Sequence, residues 1–557
     1  MRDLFVVLLR HFFGRFFDNE LVSGEGDTSA SFSKIIGAVA APGLVCFWLM
    51  PKYTVLAYAP PDVAEAASLP DKLLFLTFSM AIMGFVTVLE WDALFPDRRD
   101  FTILIPLPIR LESIFTAKMV SLCGFVVVFF AAANAFSIFL YPFIAMRNTS
   151  TFLGVMNRMW IHAEVALAGT AFVFFFLVAL QGLLINVLSF RAFKRASTYI
   201  QLIAVFALLM MLLLSLDPGS VLHSGKYRQL LYYFPPMWFL GLYENLLHEP
   251  EPLAGSGAIA MRALWIAIGA SAVAYLISYK RHVKRSLESE DILDVVPAWL
   301  STRLGAFADR FLIRNPLEQA SFYFTSKTIV RSRKHWLYLA AYAGVGFALV
   351  LQGLIGSSSR LSLLSAPLIL SFFLLSGMRF VFTLPAELRA NWVFQLSEAD
   401  GRRECLSGVR KAMFLFGVLP IFASLLPVYI FLWGSAAAVF HTFFDVALAL
   451  LLMELLLLNF HKIPFTCSYL PGKANVTALW FVYWLGFATY AYSMASLEAW
   501  ILQSATRIGC FYILCALAVG AAVYYRNRRL DEGFTLVFED EMEPVVRTLD
   551  LSAPGTW

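Results

Sequence analysis

Three carboxylates, Glu164, Asp445 and Glu454, lie inside long apolar runs, where an ionised side chain costs about 2.5–3.5 kcal/mol on insertion scales. Acids kept at that cost mark ion paths, gates or helix ends. Two of them share a context: HAEVALA, from His162 to Ala168, returns as HTFFDVALA, from His441 to Ala449. An acid ahead of the same apolar run in each half points to a chain built by doubling one helical unit, as in many transport folds. Under doubling, Glu164 and Asp445 sit at equivalent heights near the external ends of the fourth and tenth spans and are candidates for a gate or substrate pathway. The plainer alternative is that each acid opens its helix, since carboxylates favour helix N-termini.

Other chemistry finds little support. The eight histidines are scattered, and His162 and His441 are the only two at matched positions; no HExxH, HxxxH or DxD cluster gathers metal ligands or acids at one face, and no metal or catalytic residue is expected. Cys46, Cys123, Cys510 and Cys515 fall within apolar spans, while Cys405 and Cys467 adjoin loops, so neither an exported disulfide nor a closely spaced zinc site is indicated. A phosphate-binding loop needs a Gly-rich turn ending in Gly-Lys-Ser/Thr. PGKANVT, from Pro471, has Ala474 after the lysine and Cys467 where the first glycine belongs. No ATP site is expected in this chain.

The elements that would position these residues are membrane helices. The chain is 60% hydrophobic and 15% charged, too apolar for a soluble core of this length. Apolar stretches near 32–51, 72–90, 115–142, 162–188, 197–216, 257–279, 336–355, 362–383, 412–434, 438–459, 477–494 and 508–525 predict an all-α polytopic membrane protein of about twelve spans, six per half. Residues 1–285 form the first half, 286–314 a cytoplasmic linker, 315–530 the second half and 531–557 a cytoplasmic tail. The start of the chain carries no evident cleavable signal. Instead Phe5, Leu9, Phe12, Phe13 and Phe16 share one helical face opposite Arg10, His11 and Arg15, an amphipathic helix lying in the interface. A second such elbow opens the second half at NPLEQASFYFTSKTIVRSRKH, from Asn315. Lys and Arg after the even-numbered spans (Arg98, Arg99, Arg191, Lys194, Lys280, Arg281, Arg402, Arg403, Arg526, Arg528) place both termini in the cytoplasm. That bias accounts for the net charge of +5, so nucleic-acid binding is not indicated.

Two loops, each between the second and third span of its half, mix charge with helix breakers: Glu90 to Met119 and Leu384 to Met413. Each passes through acidic and arginine residues and ends on a basic residue at the next span, Lys118 or Lys411. A positive-inside loop needs only the basic residues, so partner docking is the expected role. On the other side, YYFPPMWFLGLYENLLHE is too aromatic for a free loop and too short to span. Phe234, Pro235, Pro236 and Trp238 open an expected re-entrant or interfacial helix that caps the pathway; simple aromatic anchoring is the alternative.

In this order of elements, and in the stretches EWDALFPDRRDFTILIPLP, FPPMWFLGLYE, FTSKTIVRSRKH and KIPFTCSYLPGK, the chain resembles bacterial ABC transporter permeases of the second exporter class, with two six-helix halves fused. The resemblance implies a permease subunit in the inner membrane, working with a separate ATPase subunit in two copies that binds the ATP and Mg. It also implies coupling helices on Pro96, Asp97, Arg98, Arg99 and Asp100 and on Glu387, Arg389 and Asn391. The chain departs from a symmetric pattern, because only the first half has the long external segment. An ion-coupled secondary transporter or lipid scramblase is the alternative, and would require several ionisable residues near the bilayer midplane.

Overall fold

The computed structural model describes residues 2–15, 36–37, 39–91, 94–95, 111–146, 151–215, 228–286, 313, 315–356, 360–386, 394, 398–458, 460, 462–466 and 483–531. Among these residues the regular structure is helical throughout. In chain order the helices are α1 (Arg2–Arg15), α2 (Cys46–Leu56, entered by a 3-10 turn at Ala41–Val45), α3 (Pro61–Leu89), α4 (Leu111–Ile144), α5 (Phe152–Val187), α6 (Phe190–Leu214), α7 (Pro235–Leu246) and α8 (Ser256–Ser286). Then come α9 (Pro316–Arg331), α10 (Arg333–Gly356), α11 (Arg360–Val381), α12 (Glu398–Met413), α13 (Leu419–Trp433), α14 (Ser435–Leu457), α15 (Met494–Ile501) and α16 (Ala505–Asp531). A π-helical turn, Phe414–Val418, carries α12 into α13 without a break.

Ten helices among the described residues are long and apolar enough to cross a membrane. This is what an apolar solvent demands, since only a helix or a closed barrel satisfies every backbone donor and acceptor within itself. Of the other two expected spans, 32–51 coincides with a shorter apolar helix at Gly43–Leu56, and 477–494 falls partly outside the described residues. Several helices start well before the apolar stretch that announced them. α3 starts at Pro61, the residue suited to a first helical turn. α5 starts at Phe152 behind Thr151, whose side chain accepts the Gly154 N–H. Glu164 and Asp445 are therefore about three turns inside α5 and α14, and the reading that each acid marks its helix's first turn is corrected.

The chain divides into two compact units: Met1–Val295 with Trp336–Leu374 and Leu470–Trp500, and Val296–His335 with Leu375–Tyr469 and Ile501–Trp557. In the first, α3, α5, α6, α7 and α8 pack around a core that includes Met80, Val165, Met237, Phe239 and Leu240, all fully buried. The amphipathic α1 lies on the start of α4, with Leu8 and Phe12 buried against Ile114 and Ala117. The second unit repeats that contact with different residues. Its elbow, α9, lies on α12, with Phe322 against Ala412 and Ser321 Oγ donating to the Cys405 carbonyl at 2.7 Å. Gly408 makes this approach possible, because a Cβ there would stand 2.5 Å from the Glu318 carbonyl oxygen.

Gly408→Val should accordingly lift α9 from α12 and cost about 1–3 kcal/mol, the usual range for overpacking. Gly509→Val, where nothing lies within 4 Å, is the matched control. Thermal unfolding in detergent should separate the two variants, and equal melting temperatures would contradict the packing.

Candidate functional site

The densest polar constellation lies in the first unit, where the N-terminal turns of α3 meet α2, α4, α5 and α7. Lys72 sits one turn past Ser68, at the head of the apolar part of α3, and its side chain is 5% exposed. Its ammonium reaches Glu244 Oε1 at 2.9 Å and Oε2 at 3.2 Å on α7, and Glu65 Oε1 at 3.0 Å on α3. It also lies 5.2 Å from the centre of the Tyr243 ring. Glu244 is 1% exposed, and its burial pushes the carboxyl above its ordinary pKa while Lys72 pulls it the other way. Beside them Asp71 accepts from Lys52 Nζ at 2.6 Å and from Tyr53 Oη at 2.7 Å, and Tyr53 Oη meets Tyr141 Oη at 3.0 Å. A small cavity of about 30 Å³ remains, lined by Tyr53, Glu65, Lys72, Tyr141, Arg158 and Tyr243 among others.

His162 completes this end. It is fully buried, edged by Phe75, Tyr141 and Tyr243 at ring-centre distances of 6.2, 5.6 and 5.7 Å, and neither ring nitrogen has a hydrogen-bond partner among the described residues. α7 is held against it by close packing. The double proline gives α7 its abrupt start, Trp238 Nε1 donates to the Tyr232 carbonyl at 2.7 Å, and Trp238 meets Phe172 edge-on. At its middle a Cβ on Gly241 would stand 1.8 Å from Ser256 Oγ, so α7 and α8 touch nearly backbone to backbone. Pro236 is buried, and Phe234, Pro235 and Trp238 are half-buried.

The second unit holds a related but smaller arrangement. His441, on α14, is edged by Tyr429 at 4.7 Å and Trp433 at 5.2 Å, and its Nε2 is 3.3 Å from Asp445 Oδ2 with both residues buried. Tyr141 and Tyr429 occupy the last turns of α4 and α13, and His162 and His441 the early turns of the helices that follow them, α5 and α14. At the other end of α4, and of the continuous α12 and α13, stand Lys118, 4.9 Å from the centre of the Phe12 ring on α1, and Lys411, 2.7 Å from Glu318 on α9. At 1.5 Å per residue, Lys118 to Tyr141 covers about 35 Å and Lys411 to Tyr429 about 27 Å, each close to one hydrocarbon thickness. The two halves thus share a scheme: a basic residue against the elbow helix at one end, a Tyr–His contact at the other.

The echoed acids do not share surroundings. Glu164 is exposed on α5, whereas Asp445 is buried beside His441. Glu454 is taken by two guanidinium groups, Arg526 Nη1 at 2.6 Å and Arg410 Nη1 at 3.2 Å. Pro96, Asp97, Arg98, Arg99, Asp100, Glu387, Arg389 and Asn391 lie outside the described residues. Sequence reasoning missed Lys72, Asp71 and Glu244. A signal was present in SLPDKLL, an acid–base pair at the head of an apolar run, and in the single acid of the aromatic FPPMWFLGLYE stretch.

No family description, no curated protein and no solved structure matches this chain. Its membrane character rests on the helices themselves.

Removing one partner from the Lys72–Glu244 pair strands a buried charge, which typically costs 3–5 kcal/mol, while replacing both with apolar groups is often near neutral. Lys72→Met should therefore destabilise the protein strongly, and Lys72→Met with Glu244→Leu should recover most of that loss. Denaturation of the single and double variants in detergent measures both, and a single variant as stable as wild type would contradict a buried ion pair.

Proposed function

We propose that the chain is the membrane-spanning permease subunit of an ATP-driven exporter, moving its substrate by coupling to a separate ATPase subunit. The carrying observation is the repeated contact of an amphipathic elbow with the start of the third span, α1 on α4 and α9 on α12. In each half that span follows directly on the charged loop. A loop anchored this way transmits force: a displacement applied to it moves the elbow and a rigid span together, and the span carries the movement across the membrane to its Tyr–His end. On this reading both termini and both charged loops face the cytoplasm of a bacterial inner membrane. ATP and Mg are bound by two copies of the partner ATPase. Pro96 to Asp100 with Glu387, Arg389 and Asn391 form the docking surfaces. α7, with Phe234, Pro235, Pro236 and Trp238, caps the pathway at the outer side, and Glu164 and Asp445 belong to the gate.

A second reading draws on the buried histidines. His162 and the His441–Asp445 pair are buried ionisable groups carried on membrane-length helices, which an ion-coupled transporter or scramblase would use.

Under the exporter reading the purified chain hydrolyses no ATP, and Arg98→Glu with Arg99→Glu lowers recovery of the ATPase partner on a tagged chain, since hydrogen bonds to charged groups contribute about 1.5–3 kcal/mol each. Substrate movement in vesicles should then depend on ATP and the partner and persist without a pH gradient. Movement driven by a proton gradient in the absence of the partner would replace the exporter with the ion-coupled reading.

A further inference from the structure

The second unit carries a feature that neither transport reading uses. Two open clefts adjoin one another along α12, α14 and α16, sharing Arg410 and Val523 in their walls. One, about 270 Å³, is lined by Arg403, Arg410 and Arg526 together with Glu318 and Glu404. The other, about 530 Å³, has Arg410 and Lys411 at its rim and Leu450, Met453, Val519 and Val523 along its length. One compartment is therefore cationic and the next is apolar. We propose that these clefts hold an anionic phospholipid, its phosphate in the arginine compartment and an acyl chain between α14 and α16.

Charge supports this occupant. Four cations line the clefts against three carboxylates, Glu318, Glu404 and Glu454. Two of those acids are held by three of the cations, Glu454 by Arg526 and Arg410 and Glu318 Oε1 by Lys411 at 2.7 Å, with Ser407 at 2.5 Å, so the clefts keep a net excess of one positive charge. A guanidinium carries five N–H donors in a planar fork that matches phosphate, more than the Nη1 contact that each of Arg410 and Arg526 makes to Glu454 uses. Position supports it as well. The arginines stand where α16 leaves its apolar stretch, with Arg529 stacked 4.7 Å from the Tyr525 ring centre, the basic and aromatic signature of headgroup depth. Ile513, Leu514 and Leu517 on the same helix are more than 60% exposed, so the apolar surface runs from the cleft onto a lipid-facing stripe. A water-soluble phosphate would leave that apolar compartment unused. Basic pockets between membrane helices are a recurrent site for such headgroups.

The test uses the full chain in a neutral detergent, titrated with phosphatidylglycerol or phosphatidylcholine, and counts retained lipids by native mass spectrometry. Wild-type protein should hold one phosphatidylglycerol at least about tenfold more strongly than phosphatidylcholine. Arg403→Gln with Arg410→Gln, which leaves Arg526 on Glu454, should erase that preference. Val519→Trp should block the apolar compartment with no change in charge, and it keeps the assignment testable should the arginine variant fold poorly. Glycerol 3-phosphate, a headgroup without chains, should not displace the lipid. Equal retention of the two lipids by wild-type protein, undiminished phosphatidylglycerol in both variants, or displacement by glycerol 3-phosphate would each overturn the proposal.

Discussion

Hydrocarbon offers no hydration to an ammonium or a carboxylate, so an ionised group inside a helical bundle is tolerated only when the fold brings it a partner. Lys72 is where that constraint bears most heavily. Its three N–H donors face Glu65, Glu244 and a tyrosine ring, and meeting them draws a helix 172 residues away in sequence onto the head of α3. The short α7 has too few residues to span a bilayer, and the ion pair with the backbone-close contact at Gly241 holds it among α3, α5 and α8. The Tyr53, Asp71 and Lys52 contacts then bring α2 to the same place, and Tyr141 and His162 bring α4 and α5. In these contacts Lys52 and Lys72 each meet an acid, and Glu65, Asp71 and Glu244 each meet a donor, which is how a polar end can sit on an apolar bundle.

The second unit solves the same problem with its charges spread over separate contacts. Its polar ends are split between the His441–Asp445 contact and the Arg526–Glu454–Arg410 triad, and it places Lys411 on its elbow through Glu318 where the first half places Lys118 over Phe12. What the two units have in common is geometric rather than literal. A cation at the elbow end and a tyrosine against a histidine at the other end recur, although an aromatic face replaces a carboxylate as the cation's partner. The two partners are physically interchangeable, since a cation near apolar surface can be stabilised by a ring face or by an acid, and either keeps the elbow seated.

The helical class, the membrane location and most spans were legible in the sequence, because hydropathy over about 20 residues reports the hydrocarbon directly. Helix starts were less legible. Hydropathy sees the hydrocarbon part alone, and α3 and α5 run on through polar turns that a proline and the Thr151 cap sustain. The same effect hid the site. Lys72 opens the apolar stretch 72–90 and Asp71 lies just outside it, and nothing in a linear sequence announces that Glu244 will arrive from the far side. The HAEVALA echo pointed to doubling through its acids, yet the matched surroundings belong to the histidines, which stand two and four residues before those acids and so fall out of register in any ungapped comparison.

The proposed permease reading requires α4 and α13 to run in the same direction through the membrane, and α5 and α14 likewise, with elbow ends on one face and Tyr–His ends on the other. Single cysteines placed in a cysteine-free background at Thr116 and Arg403, near the elbow ends, and at Thr151 and Ser435, at the starts of the fourth spans, can be labelled with a membrane-impermeant reagent in sealed vesicles of known orientation. The account predicts that Thr116→Cys and Arg403→Cys label from one side and Thr151→Cys and Ser435→Cys from the other. Labelling of Thr116→Cys and Arg403→Cys from opposite sides would contradict the shared scheme and the permease reading built on it.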